Sequence, residues 1–191
     1  MAFIVDGSSN VISFADFSDV VQKDQRILES NKIKIPAESG FADTTDFIED
    51  MLQKSTDRIL LKIKASSWWQ SYNAYVGNPI SDLSALPNVN PTLIDPANAL
   101  GRRQQFTDLC VYHCMHEYLC PLFADFGNPD NDEVNKIKYY EAKFNDLFTE
   151  LLMMADWYDF DNDGTVQADE KAYSFTKKRR SRSRSSIGYV R

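Results

Sequence analysis

Apolar residues at helical spacing are the feature that most restricts how this 191-residue chain can fold. In the segment 44–64 they recur every three or four positions, the repeat that turns one face of an α-helix toward a core. The same spacing predicts helices over 13–29, with Ser13 as its cap, over 103–124 and over 133–157. We therefore expect a mainly α fold, an antiparallel helical bundle.

The composition favours one helical domain with an ordinary hydrophobic core. Hydrophobic residues make up 43% of the chain and aromatic residues 13%, which argues against a disordered protein. No apolar run approaches the roughly 18 residues of a membrane helix, and the first residues do not resemble a secretory signal. The three cysteines, Cys110, Cys114 and Cys120, are clustered and odd in number. They favour a reducing compartment over a disulfide framework, so we expect synthesis in the cytosol.

Residues 159–170, DFDNDGTVQADE, have the spacing of an EF-hand calcium loop. Such a loop has oxygen ligands at positions 1, 3, 5, 7, 9 and 12 and a glycine at position 6, where the chain turns sharply. Calcium is a hard cation that takes six to eight oxygens. The glycine here is Gly164. The predicted ligands are Asp159, Asp161, Asp163, Thr165 through its carbonyl, Gln167 through a water, and Glu170.

The surroundings of this loop favour a structural calcium ion over a calcium switch. Sensors of the EF-hand type carry paired loops, whereas the sequence has one such pattern, followed by a short exit segment. Trp157 and Tyr158 are expected to end the helix that enters the loop. Calcium would then cancel the repulsion among the carboxylates and fix the angle between this helix and the residues that follow. The alternative is an acidic turn that binds no metal.

The charge is distributed unevenly along the chain. The net charge is −7, yet positions 171–191 hold eight basic residues and no acidic one, which leaves 13 basic and 28 acidic residues, or −15, for positions 1–170. This asymmetry predicts a basic arm on an acidic body. Four of the seven prolines lie within 77–96 and indicate a long loop insertion. The expected organisation is a helical bundle over 1–158, a calcium loop over 159–170 and the arm over 171–191.

Two further clusters have alternative interpretations. Cys110, His113 and Cys114 share one predicted helix and could contribute to a zinc site or to a Cys–His catalytic pair, but one helix cannot easily supply four tetrahedral ligands, so core packing is favoured. Trp68, Trp69 and Tyr72 indicate either core packing or a subunit interface, where aromatic residues are enriched. No nucleotide-binding or hydrolase motif is present in the sequence, and we expect no enzymatic activity.

The basic arm has three possible roles. It could be a solvated extension, a phosphate-binding arm for nucleic acid, or a peptide that docks on a carboxylate-lined protein groove. The residues that would carry the last two roles are Lys177, Lys178, Arg179, Arg180, Arg182 and Arg184.

The order and character of the predicted helices resemble those of the head-to-tail connector (adaptor, or neck) proteins of tailed bacteriophages. The resemblance is carried by DTTDFIEDMLQKSTDRILLKIKASSWW, by ALGRRQQFTDLCVYHCMHEYLCPLF after a loop, by YYEAKFNDLFTELL and by the basic C-terminal segment. The calcium loop and the proline-rich insertion are additions to the pattern of that family.

The resemblance implies a structural virion protein, made in the host cytoplasm and located in the neck. It implies a dodecameric ring that joins the portal protein to downstream tail proteins and lets DNA pass without sequence-specific binding. The arm would dock into the portal, and an acidic lumen would let DNA slide. The alternatives from the residues themselves are a calcium-binding regulatory protein and a nucleic-acid-binding protein that acts through its arm.

Overall fold

The computed structural model of the protein describes residues 4–5, 11–27, 40–41, 43–69, 97, 99, 101–127, 132–159 and 164–166. Most of these residues are helical, which confirms the prediction of a mainly α fold. No helix within these ranges has the length and apolar character needed to cross a membrane. The elements are β1 (Ile4–Val5), β2 (Val11–Ser13), α1 (Phe17–Lys23), α2 (Thr44–Ala65), α3 (Arg103–Cys114) and α4 (Asp132–Met154).

The first helix begins and ends elsewhere than predicted. Strands β1 and β2 pair antiparallel, and Ser13 belongs to β2. Asp16 is the N-cap of α1: its carboxylate accepts the N–H of Asp19 at 3.0 Å, while the Asp19 carboxylate accepts the N–H of Asp16 at 3.0 Å. This reciprocal pair satisfies two N–H groups that would otherwise lack partners at the helix start. The helix predicted over 13–29 is therefore wrong at its start, and regular α-helix ends at Lys23.

Helix α2 confirms the prediction made from the 44–64 repeat. Asp43 caps it by accepting the N–H of Asp46 at 2.9 Å, and the helix then runs to Ala65. Its inward face is formed by side chains that are at most 1% exposed. These are Ile48, Leu52, Ser55, Thr56, Ile59 and Ile63.

Helix α3 starts where the sequence predicts but does not continue to residue 124 as regular α-helix. From Met115 to Leu119 the backbone is a π-helix, and Cys120–Leu122 forms a single 3₁₀ turn. Pro121 explains the change, because proline has no N–H to donate to the preceding turn and its ring collides with the carbonyl four residues earlier. The wider π turn lets the N–H of Cys120 bond to the carbonyl of Met115.

Two buried threonines join the N-terminal segment to the helices. Thr56 on α2 accepts the N–H of Phe14 at 3.1 Å, and Thr107 on α3 donates its hydroxyl to the carbonyl of Phe14 at 2.8 Å. Both polar groups of the Phe14 backbone are therefore satisfied although the residue is 1% exposed. Its ring packs 5.1 Å from that of Phe106.

Contacts between α3 and α4 run in opposite order along the two helices. Near the start of α3, Arg102 pairs with Asp156, which lies beyond the end of α4. Farther along α3, Tyr112 stacks at 6.0 Å on Tyr140, in the first half of α4. Helix α3 also contacts α2 and α1, so it is the central element of the described core.

A prediction for the core compares two phenylalanines. Phe106→Ala removes a ring that is 1% exposed and should lower the free energy of unfolding by about 3–5 kcal/mol through lost burial and a residual cavity. Phe126→Ala, at a ring that is 70% exposed, should change it by less than about 0.5 kcal/mol. Urea denaturation of both variants measures the difference, and equal losses would contradict the described packing.

Candidate calcium site and its anchorage

The segment that enters the predicted calcium loop is not helical. Helix α4 ends at Met154, and Ala155 adopts a left-handed conformation with φ of 50°. The prediction that the fourth helix continues to Trp157 and enters the loop directly is therefore wrong. The early end lets the chain turn so that the Trp157 indole N–H donates to the Leu151 carbonyl at 2.9 Å.

Trp157 is seated in the aromatic part of the core. Its indole is 1% exposed and lies 4.7 Å from the ring of Trp68 and 5.0 Å from that of Phe106. The next residue, Tyr158, is 5% exposed and meets Trp69 edge-on at 6.0 Å. The residue before the predicted calcium loop and its neighbour are therefore held by the two tryptophans that follow α2 and by Phe106 near the start of α3.

Backbone and charge contacts hold the same segment from the side of α3. The N–H of Gly101 donates to the carbonyl of Trp157 at 3.2 Å. A Cβ at position 101 would collide with the carbonyl oxygen of Asp156 and approach the Trp157 Cα to 3.0 Å, so this approach requires glycine. The Arg102 guanidinium holds both carboxylate oxygens of Asp156, at 2.5 and 2.9 Å, and these hydrogen bonds raise the pKa of Arg102.

The first half of the predicted loop is closed by a hydrogen bond. The N–H of Gly164 donates to Oδ2 of Asp159 at 2.8 Å, joining positions 6 and 1 of the calcium pattern. Gly164 has φ of +90°, a conformation that L side chains rarely adopt. Asp159 is 0% exposed, whereas Gly164 and Thr165 are exposed. A buried carboxylate thus accepts a hydrogen bond from an exposed glycine.

The donor chemistry of this turn fits calcium. Asp159 supplies carboxylate oxygen, Thr165 a backbone carbonyl, and the remaining predicted ligands are oxygen donors as well. Those ligands, Asp161, Asp163, Gln167 and Glu170, lie outside the described residues, as does the basic arm from Lys177 to Arg184. Within the described ranges, no group of three or more His, Cys, Asp or Glu side chains is arranged to hold a metal.

The predicted aromatic cluster lies against the loop entrance. Trp68 and Trp69 are each 7% exposed and pack on Trp157 and Tyr158, so little of either indole is left for another subunit. Their position agrees with the core-packing alternative. Tyr72 lies outside the described residues.

The cysteine and histidine cluster is part of the core between α2, α3 and α4. The Cys110 thiol contacts the Thr56 hydroxyl and the Leu52 carbonyl, each at 3.4 Å, and burial raises its pKa to about 12. Burial also raises the pKa of Cys114 well above its usual value. Both sulfurs therefore stay protonated at neutral pH, which is the state least suited to metal binding or nucleophilic attack.

His113 is also buried, at 3% exposure. Its ring lies 5.1 Å from that of Phe144 and 5.1 Å from that of His116. Burial, with the positive charges of His116, Lys62 and Arg58, lowers the pKa of His113 to about 3. The imidazole is consequently neutral across the physiological range.

The residues that anchor the loop carry no local signal in the sequence. Gly101 and Arg102 are 54 or more positions away from Asp156 and Trp157. A glycine before a helix usually indicates only a turn, and neither residue belongs to the calcium pattern.

Comparison with protein-family models, with curated proteins and with solved structures finds no match to this chain.

A pH prediction follows from His113. In the unfolded chain this imidazole takes up a proton near its ordinary pKa of 6.5, whereas in the folded protein it does so only near 3. Between these values the unfolded state binds more protons than the folded state. The free energy of unfolding should therefore decrease as the pH is lowered, by up to about 1.4 kcal/mol per pH unit. His113→Leu should reduce that slope. Urea titrations at pH 7, 6 and 5 measure it, and equal slopes for both proteins would refute the assignment.

Proposed function

We propose that the protein is a structural, calcium-stabilised subunit, with one calcium ion held by residues 159–170. The observation that carries this proposal is the buried Asp159 carboxylate, which accepts the Gly164 N–H where the calcium pattern requires a turn. Bound calcium would supply a positive charge that offsets the repulsion among the clustered carboxylates. Because the metal binds the folded loop, it stabilises the fold by linkage.

The entrance to the loop favours a structural ion over a sensor. A sensor must rotate its entering helix when calcium binds. Here the loop follows Trp157 and Tyr158, which are 1% and 5% exposed. Moving this segment would withdraw two rings from the core, so calcium is better suited to fix it than to move it.

We further propose that this subunit is a head-to-tail connector of a tailed phage. The resemblance to that family in helix order supports the proposal, as do the contacts of α3 with α2 and α4. In this role the helices form an antiparallel bundle that assembles as a dodecameric ring between the portal protein and the tail proteins. The acidic body lines the DNA channel, and the arm from Lys177 to Arg184 docks into the portal.

We infer that the protein has no catalytic role. The cysteine and histidine that could form a nucleophilic pair are Cys114 and His113, and their environments oppose that chemistry. Burial raises the pKa of the Cys114 thiol and lowers that of the His113 imidazole, which favours a protonated thiol and a neutral imidazole at neutral pH.

The calcium site is tested by paired substitutions in the loop. Asp159→Asn together with Glu170→Gln removes two predicted ligands and should abolish calcium binding in isothermal titration calorimetry. Calcium should also no longer raise the melting temperature of this variant. Asp169→Asn is the matched control, because position 11 removes one acid from the same loop without removing a ligand. Equal calcium binding by wild type and the double variant would reject the site.

The connector role is tested through the arm. A chain shortened to residues 1–176 should keep the thermal stability of the body, which is formed by α2, α3 and α4, but should fail to join portal-containing heads of the same phage. A chain with residues 177–191 in scrambled order keeps the composition and separates specific docking from simple charge attraction. Normal joining by the shortened chain would refute docking through the arm.

A further inference from the structure

The contacts around Asp156 and Trp157 connect the calcium loop to a distant part of the chain. Asp156 and Trp157 lie just ahead of the first predicted ligand, Asp159. They are held by Arg102 and Gly101, which lie at the start of α3. Whatever fixes residues 156–157 therefore also restricts the position of Asp159.

The same segment meets both ends of the chain between α2 and α3. Trp69, on one side of residues 70–100, contacts Tyr158, and Gly101, on the other side, bonds to Trp157. Residues 157–158 thus hold together two points that are more than 30 positions apart in the sequence.

We propose that calcium binding and the attachment of Gly101 and Arg102 to residues 156–157 are thermodynamically coupled, with Arg102 as the positioning residue. This inference rests on the proposed calcium site. Arg102 orients Asp156, and the short chain through Trp157 then presents the Asp159 carboxylate to the ion. Coupling is reciprocal, so calcium in turn stabilises the attachment of Gly101 and Arg102 to residues 156–157.

Simple electrostatics predicts the opposite effect of Arg102. A cation beside a calcium loop repels the ion, so removing its charge should tighten calcium binding. Positioning depends instead on the guanidinium fork, which holds both oxygens of Asp156 and which neither lysine nor glutamine can reproduce. The two accounts therefore predict opposite changes in calcium affinity for Arg102→Gln. For Arg102→Lys, positioning predicts weaker binding, whereas electrostatics predicts no change.

The experiment measures calcium affinity by isothermal titration calorimetry for wild type, Arg102→Lys and Arg102→Gln. The calcium affinity of both variants should be lower than that of the wild type by at least about fivefold. Lys54→Gln is the matched control, because it breaks an exposed ion pair with Asp50 on α2, and its calcium affinity should be unchanged. Circular dichroism at the titration temperature establishes that each variant is folded.

A second measurement uses the wild-type protein and does not depend on any variant folding. Calcium should slow hydrogen exchange at the Gly101 amide about fivefold or more, because that N–H bonds to Trp157. Wild-type calcium binding with no change in Gly101 exchange would overturn the coupling and leave the calcium site standing. Unchanged affinity in Arg102→Lys and tighter binding in Arg102→Gln would overturn the positioning role. Absence of calcium binding in wild type would remove both proposals.

Discussion

The burial of Trp157 is the constraint on which the rest of this structure depends. Its indole packs on Trp68 and Phe106 and donates to the Leu151 carbonyl, so it joins the segment after α2, the start of α3 and the end of α4 in one cluster. Burying a tryptophan of this size contributes several kcal/mol, and its polar group must be paired when it is buried. Helix α4 consequently ends early, at Met154, so that the indole can turn back into the core.

The burial of Trp157 also restricts the position of Asp159, two residues farther along the chain. Asp159 begins the calcium pattern, and its position is inherited from Trp157 and from the Arg102–Asp156 ion pair. A calcium loop is usually presented by a helix. Here a buried aromatic segment takes that place, which suits the proposed structural ion better than an ion that triggers a large motion. The proposed connector role also favours a rigid subunit, because the subunits of a ring must keep fixed positions relative to one another.

The sequence predicted the parts of the fold that are set by local chemistry. Helix α2 follows from a long apolar repeat, whereas its cap, Asp43, is seen only in the structure. The start of α1 was mispredicted because the Asp16–Asp19 pair caps the helix while the Ser13 hydroxyl bonds to the Ala15 carbonyl. The end of α4 could not be predicted because Trp157 is held by residues distant in the sequence. The pairing of Arg102 with Asp156 could not be predicted either, because these residues are distant in the sequence. The turn at Gly164, in contrast, follows from its place in the calcium pattern.

Terbium luminescence tests the central claim most directly, because Tb³⁺ binds calcium sites and emits when a nearby tryptophan transfers its excitation energy. Trp157 lies two residues from Asp159, so the proposed account predicts tryptophan-sensitised emission that saturates at one ion per chain. Calcium should displace the terbium and quench the sensitised emission. Absence of sensitised emission from the folded wild-type protein, or emission that calcium does not compete away, would contradict a calcium ion held beside this buried tryptophan.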